Sequence, residues 1–292
     1  MRRHTTFGIG GPADAYAMVA DVDEMTLLVQ GANQRSLPWR VVGKGSNLLV
    51  RDGGIRGIVI NPAPHMCAVT VIDDATVGEI AVTAQAGLSL PALCRLALAN
   101  GWAGMNFALG IPGCVGGAIS MNAGSAEGCV ADVLQAVTLL DRQAKRITVA
   151  ADKITWAYRQ AGWPRDSIIV EGTVKLQAVD KQQLKREARQ WVVARKRRQP
   201  AEPSAGCFFK NPSPHYPAGR LIDQAGLKGQ RIGKAAVSKR HANFIVNLGG
   251  ASAGEVLALV RLIQTTVTDR FGIVLEPEVV ILGEEGHAQE SL

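Results

Sequence analysis

Two glycine-rich loops in the first half of the chain constrain it most: GKGSNLL at 43–49 and GIPGCVGGAISMNAG at 110–124. Each offers a run of backbone N–H groups that an anion can approach, because no Cβ stands in the way. In the second loop Gly110, Gly113, Gly116, Gly117 and Gly124 crowd together beside Pro112 and Asn122. Glycine costs ~0.5–1 kcal/mol per position relative to alanine, so such density needs compensation. Close approach of a flat ring system and a diphosphate would supply it. The first loop follows PWRVVG, a strand-like run, as a Rossmann phosphate turn does. However, Leu48 replaces the third glycine of GxGxxG and no helix opens after it. An NAD-type Rossmann domain is therefore a poor fit. Ser46 and Asn47 offer donors to a pyrophosphate instead. With PSAGCFFKNP at 203–212 behind them, the loops point to one large phosphate-bearing cofactor and a second, reactive site.

At 292 residues the chain suits two or three modules. DVDEMTLLVQGANQ at 21–34 reads as a helix with an acidic first turn. PWRVVG, IRGIVIN, AVTVID, EIAVTAQAG, VLQAVTLLD and SIIVEGTVKL are β-branched, strand-like runs. Between them Ser89 caps a helix with Pro91 in its first turn and Gly101 at its stop. From Asp180 the texture changes: DKQQLKREARQWVVARKRRQ is a charged amphipathic helix and QPAEPS a breaker-rich link. Helices at 217–225 and 252–271, strands near AAVS and NFIVNL, and a final strand IVLEPEVVIL are expected beyond it. A strand-rich N-terminal part and a mixed C-terminal part meet near residue 180.

An apolar content of 47% and a mean hydropathy of +0.09 describe an ordinary globular protein. No apolar run is long enough to span a bilayer, and none of signal-peptide length follows the basic MRRHTTFGIGG, so a cytoplasmic protein with no membrane partner is expected. The five cysteines form no CxxC pair, which argues against a disulfide framework or a structural zinc site. Cys67, Cys94, Cys114 and Cys129 read as small buried hydrophobes. No cluster has metal-ligand spacing. The net charge of +7 is densest at Arg195-Lys196-Arg197-Arg198, where cations complement a helix C-terminus. With 5% aromatic residues and no stacking platform among the basic ones, no nucleic-acid partner is expected.

HTTFGIGGPA (4–13), VVGKGSNLLV (41–50), the second glycine loop, AYR (157–159), PSAGCFFKNP, AGRLIDQAGLKG (218–229), VSKRHANFIVN (237–247) and LEPEVVILG (275–283) follow one another in an order that resembles the UDP-N-acetylenolpyruvoylglucosamine reductase family. The resemblance covers nearly the whole chain. It implies an α+β protein: a FAD-binding domain of the VAO/PCMH type over 1–178, with subdomains at about 1–65 and 66–178, and a C-terminal α+β substrate domain over 179–292. It further implies non-covalent FAD, NADPH as co-substrate, and reduction of an enolpyruvyl ether on a UDP-sugar to a lactyl ether in peptidoglycan precursor synthesis. A monomer is expected.

Reducing an enol ether conjugated to a carboxylate needs hydride at one carbon and a proton at its neighbour. Charge gathers on the carboxylate in between, so a cation or proton donor belongs there. Arg159, in AYR, resembles the family arginine that polarises that carboxylate, and its bidentate fork suits the task. Cys207 matches the position where many members carry a serine as proton donor. A free thiol, of pKa about 8.5, is a far stronger acid than a serine hydroxyl. Glu278 resembles the family glutamate that works with the arginine on the enolate. Glu276, two residues away and expected on the same strand face, stays in reserve.

By the same resemblance FAD falls to Gly43, Gly45, Ser46, Asn47, Leu48, Gly110, Ile111, Pro112, Gly113, Gly116, Gly117, Ala118 and Asn122. The UDP-sugar or nicotinamide nucleotide falls to Tyr158, Lys210, Asn211, His241 and Asn243. Two departures stand out. The match begins almost at Met1, where relatives carry a further stretch, so either the start lies upstream or the first strand is absent. The 48 positions from Arg159 to Cys207 leave no room for the substrate-covering tyrosine loop of longer members, which marks a shorter subtype.

Overall fold

A computed structural model describes residues 1–63, 65–74, 78–164 and 166–286. They form two compact units, neither contiguous in sequence. One comprises 1–15, 44–57 and 196–292; the other comprises 16–43 and 58–195.

The second unit is built on an antiparallel sheet in which one strand is inserted between two hairpins. Strands Arg146–Ala150, Leu134–Leu140, Ile168–Ala178, Glu79–Gln85 and Val69–Asp74 lie side by side, all antiparallel. Glu79–Gln85 alternates half-buried and buried residues, the period-2 pattern of a sheet with one face on a core. Onto that face pack helix α2 (Leu90–Asn100), which Gly101 ends in a left-handed cap at φ +76, and helix α3 (Val115–Ser120). A separate core lies under helix α1 (Val22–Gln34), where Met25 and Val29 meet Ile60, Leu140 and Val170. Asp21 caps α1 by accepting the Glu24 N–H at 2.8 Å, and helix α4 (Lys181–Arg198) follows the strand Ile168–Ala178.

The first unit has one core. Strands Ser204–Cys207, Phe244–Asn247, Ala235–Val237 and Arg231–Ile232 form an antiparallel sheet in that order. Helix α5 (Ala218–Gln224) and helix α6 (Ala253–Phe271) contribute Leu221, Ile222, Val256, Leu259 and Ile263 to it. Ser252 and Glu255 close a reciprocal capping box at the start of α6. Beside this sheet, Leu48–Val50 pairs in parallel with Val280–Leu282.

Two sequence expectations need correction. The last strand is confined to Val280–Leu282, with an isolated bridge at Pro277, because Pro277 has no N–H to extend a ladder. Glu276 and Glu278 therefore do not share a strand face. Within the second glycine loop α3 opens and includes Gly116, Gly117 and Ala118. Of the four cysteines expected in cores, Cys94 and Cys114 are buried, while Cys67 and Cys129 are only half-buried.

Candidate active site

In the first unit the GKGSNL loop, Cys207 and Glu278 come together through main-chain bonds. Asn47 accepts the Val280 N–H on its carbonyl at 3.0 Å and donates its side-chain Nδ2 to the Glu278 carbonyl at 3.1 Å. The Glu278 N–H in turn reaches the Phe208 carbonyl at 2.8 Å, directly after Cys207. Thr6 closes the set, bonding its N–H to the Gly45 carbonyl at 3.2 Å and its hydroxyl to the Ser204 carbonyl at 2.9 Å. The HTTFGIGG motif therefore ties the loop to the strand that carries Cys207.

That strand is bulged. Ser204 pairs with Val246 and Cys207 with Phe244, so one extra residue is accommodated, and Gly206 takes φ +83. Such bulges re-aim the side chains that follow them. A glycine inside an otherwise strand-like SAGCFF is the sequence signal for it. Cys207 is half-buried. Cys94, by contrast, is buried, and desolvation pushes its thiol up to about 12, which leaves it protonated and inert near neutrality.

The segment after Cys207 is held from both sides. Phe208 donates its N–H to the Asn243 carbonyl at 2.7 Å, and Lys210 donates its own to the Glu276 carbonyl at 2.9 Å. Asn243 is 3% exposed and spends both ends of its amide on Phe209, accepting the N–H at 2.9 Å and donating to the carbonyl at 2.7 Å. It thus shapes the loop that presents Cys207 and Lys210. An Asn243→Ala variant leaves two buried peptide groups unpaired at about 1–3 kcal/mol each, so urea unfolding should report a loss of several kcal/mol. Unchanged stability would remove the clamp.

The remaining candidates in this unit separate by environment. Lys210 Nζ lies 3.3 Å from Glu276, whose side chain is 72% exposed, whereas Glu278 is half-buried. Asn211 accepts the Ala218 N–H at 3.0 Å and so caps α5. His241 packs edge-on to Phe244 at 5.0 Å and accepts the Asn243 N–H on Nδ1 at 3.3 Å. Burial, and to a lesser degree Lys228, lowers its pKa, so the ring is neutral near pH 7.

In the second unit the structure joins the other glycine loop to Arg159. Strands Trp156–Ala157 and Gln160–Ala161 form a hairpin whose two turn residues are Tyr158 and Arg159. Arg159 adopts φ +58, a left-handed conformation that costs a non-glycine residue about 1–2 kcal/mol. Its Nη2 donates to the Gly124 carbonyl at 2.9 Å, and its guanidinium lies 5.1 Å from the exposed Tyr158 ring. Asn122, buried at φ +42, donates to the Ala157 carbonyl at 3.2 Å and accepts the Ala131 N–H at 3.0 Å. Its amide therefore fastens the glycine loop to the arginine hairpin.

The glycines have packing reasons as well. Gly45 sits at φ +59, and a Cβ there would stand 2.3 Å from the His4 carbonyl oxygen. A Cβ at Gly43 would meet the Cys114 sulfur, and one at Gly116 would press on Ala86. Leu48, Gly113 and Ala118 are buried, Ile111 and Ser46 half-buried, and Gly110, Pro112 and Gly117 exposed. Both loops still fit a pyrophosphate. The N–H groups of Lys44, Gly45 and Asn47, and those of Gly113 and Cys114, donate to no carbonyl among the described residues. No metal-binding group of His, Cys, Asp and Glu is found among those residues, and no helix is long and apolar enough to cross a membrane.

Comparisons with known proteins show the family. Residues 13–150 match the family model of an FAD binding domain, and 199–282 match that of the UDP-N-acetylenolpyruvoylglucosamine reductase C-terminal domain. The chain is 46% identical to the UDP-N-acetylenolpyruvoylglucosamine reductase of Desulfosudis oleivorans, over 97% of this chain and 93% of that protein. It is 42% identical to that of Desulforamulus reducens, over 98% and 92%. The crystal structure of UDP-N-acetylenolpyruvylglucosamine reductase from Thermus caldophilus superposes with a TM-score of 0.82 at 38% identity, covering 97% of both chains. With its two glycine loops, its arginine hairpin and its bulged cysteine strand, the chain belongs to the UDP-N-acetylenolpyruvoylglucosamine reductase family of FAD-dependent enzymes.

Proposed function

We infer that the protein reduces the enolpyruvyl ether of UDP-N-acetylglucosamine-enolpyruvate to UDP-N-acetylmuramate with NADPH, a step of peptidoglycan precursor synthesis. FAD, when bound, supplies hydride transfer between the nicotinamide and the enol ether. Arg159 grips the substrate carboxylate, onto which the charge of the developing enolate spreads. Glu278 stands with it on that enolate. The Cys207 thiol gives its proton to the carbon next to the carboxylate, and the thiolate is reprotonated from solvent. The cofactor is assigned mainly to 1–178 and the UDP-sugar to 179–292. Lys210, Asn211, His241 and Tyr158 are left for the sugar nucleotide. The chain is read as the shorter subtype and as a monomer.

The observation that carries this reading is the Phe208 carbonyl, which receives the Glu278 N–H at 2.8 Å immediately after the Cys207 bulge and so sets acid and thiol on adjoining main chain. Anaerobic half-reaction spectroscopy tests it. The yellow protein should bleach with NADPH and recolour with the enolpyruvyl substrate. Glu278→Gln should slow only the recolouring, and Glu276→Gln should leave it near wild type. Recolouring by oxygen alone, with no response to the enolpyruvyl ether, would replace the reductase with an oxidase.

A further inference from the structure

The formal charge of the protein resides in one helix. Helix α4 carries eight Lys and Arg against the single Glu187, a net of +7, which is also the net charge of the whole chain. The rest of the molecule is balanced, with 24 basic and 24 acidic side chains (32 less 8, 25 less 1). Cations in a last turn complement the helix dipole, but Arg186 and Arg189 stand well before it. The last turn is also served from elsewhere, since Arg240 donates to the Lys196 carbonyl at 3.3 Å and the Gln199 carbonyl at 3.1 Å.

Leu184 and Ala188 mark the buried side of α4. Opposite them, at spacings of three and four, run Arg186, Arg189, Val193 and Arg197, all exposed, with Lys196 alongside. None of these cations forms an ion pair among the described residues. Like charges at such spacing repel, so the stripe is held at a cost that an anionic partner would relieve. Val193 stands within the stripe, 50% exposed, and Val192 flanks it, 43% exposed.

We propose that α4 is a docking face for an anionic lipid bilayer. The helix is about 27 Å long, enough to lie along a membrane surface. Its guanidinium groups meet headgroup phosphates, while Val193 and the flanking Val192 enter the interface beneath them. A nucleic acid would satisfy the charges but offers Val192 and Val193 nothing.

Co-sedimentation of the full-length FAD-loaded protein with vesicles tests this. Binding is expected to phosphatidylcholine vesicles containing phosphatidylglycerol, not to pure phosphatidylcholine, and should weaken with salt. The Arg186→Gln, Arg189→Gln, Arg197→Gln triple variant should bind on the order of a hundredfold more weakly, from about 1 kcal/mol per charge. Val193→Ser should weaken binding at every salt concentration. Turnover of the soluble substrate should be unchanged in both variants, which separates this surface from the reductase reading. No binding to anionic vesicles, equal binding by the triple variant, or binding to single-stranded RNA but not to vesicles overturns the proposal.

Discussion

Replacing Cys207 by alanine should slow reduction of the enolpyruvyl substrate by orders of magnitude while NADPH still bleaches the enzyme. The two half-reactions make different demands on the chain. Oxidising NADPH requires no proton at the substrate carbon. Completing the lactyl ether requires one, and Cys207, the side chain proposed to give it, follows the Gly206 bulge. Loss of a positioned acid typically slows a step by about 10²–10⁴-fold, so stopped-flow recolouring should fall by that much. Cys207→Ser should retain much of the rate, because the hydroxyl sits where the thiol did. Equal loss of both half-reactions in the alanine variant would mean that Cys207 supports the cofactor or the fold instead.

The bulge itself supplies a control. Gly206 has open space beyond its Cβ position, so Gly206→Ala meets no clash, only the strain of φ +83. If the alanine variant relaxes the bulge, recolouring should slow with Cys207 still present and still titratable by a thiol reagent.

Much of this architecture was legible in the sequence because local chemistry and tertiary context agree. The alternation of EIAVTAQ, the Pro91 entry and Gly101 exit of α2, and the Ser252–Glu255 cap of α6 each specify an element without help from distant residues. The family motifs pointed to the FAD-binding domain and the C-terminal domain that the comparisons find. Less legible was anything decided by contacts remote in sequence. LEPEVVIL has the composition of a strand from end to end, yet its first half runs beside 208–210 through single bonds and only Val280–Leu282 finds a ladder partner, Leu48–Val50. Asn243 and Asn122 read equally well as ligand contacts or as buried clamps, and only the partners, Phe209 and Ala157, distinguish the two. The glycines are similar: Gly45 is small because His4 crosses it, an encounter between residues that the sequence does not mark.

The hairpin arginine yields the sharpest test of function against stability. Arg159 occupies a left-handed position that glycine would hold without strain, and the fold tolerates the cost of about 1–2 kcal/mol. If that strain exists to aim the guanidinium, removing the side chain should separate stability from activity. Arg159→Gly relieves the strain but adds about 0.5–1 kcal/mol of backbone entropy, while Arg159→Ala keeps the strain. Both lose the 2.9 Å bond to the Gly124 carbonyl. The glycine variant should therefore be more stable than the alanine variant by up to about 1 kcal/mol in denaturant unfolding. Both should lose on the order of 10²–10³-fold in the rate of substrate reduction, the usual effect of deleting a charge-stabilising donor. Arg159→Lys should recover little, since an ammonium cannot bond a carboxylate with two parallel N–H groups. NADPH oxidation should proceed normally in all three. A glycine variant that still reduces the enolpyruvyl ether at the wild-type rate would assign the strained turn to some task other than catalysis.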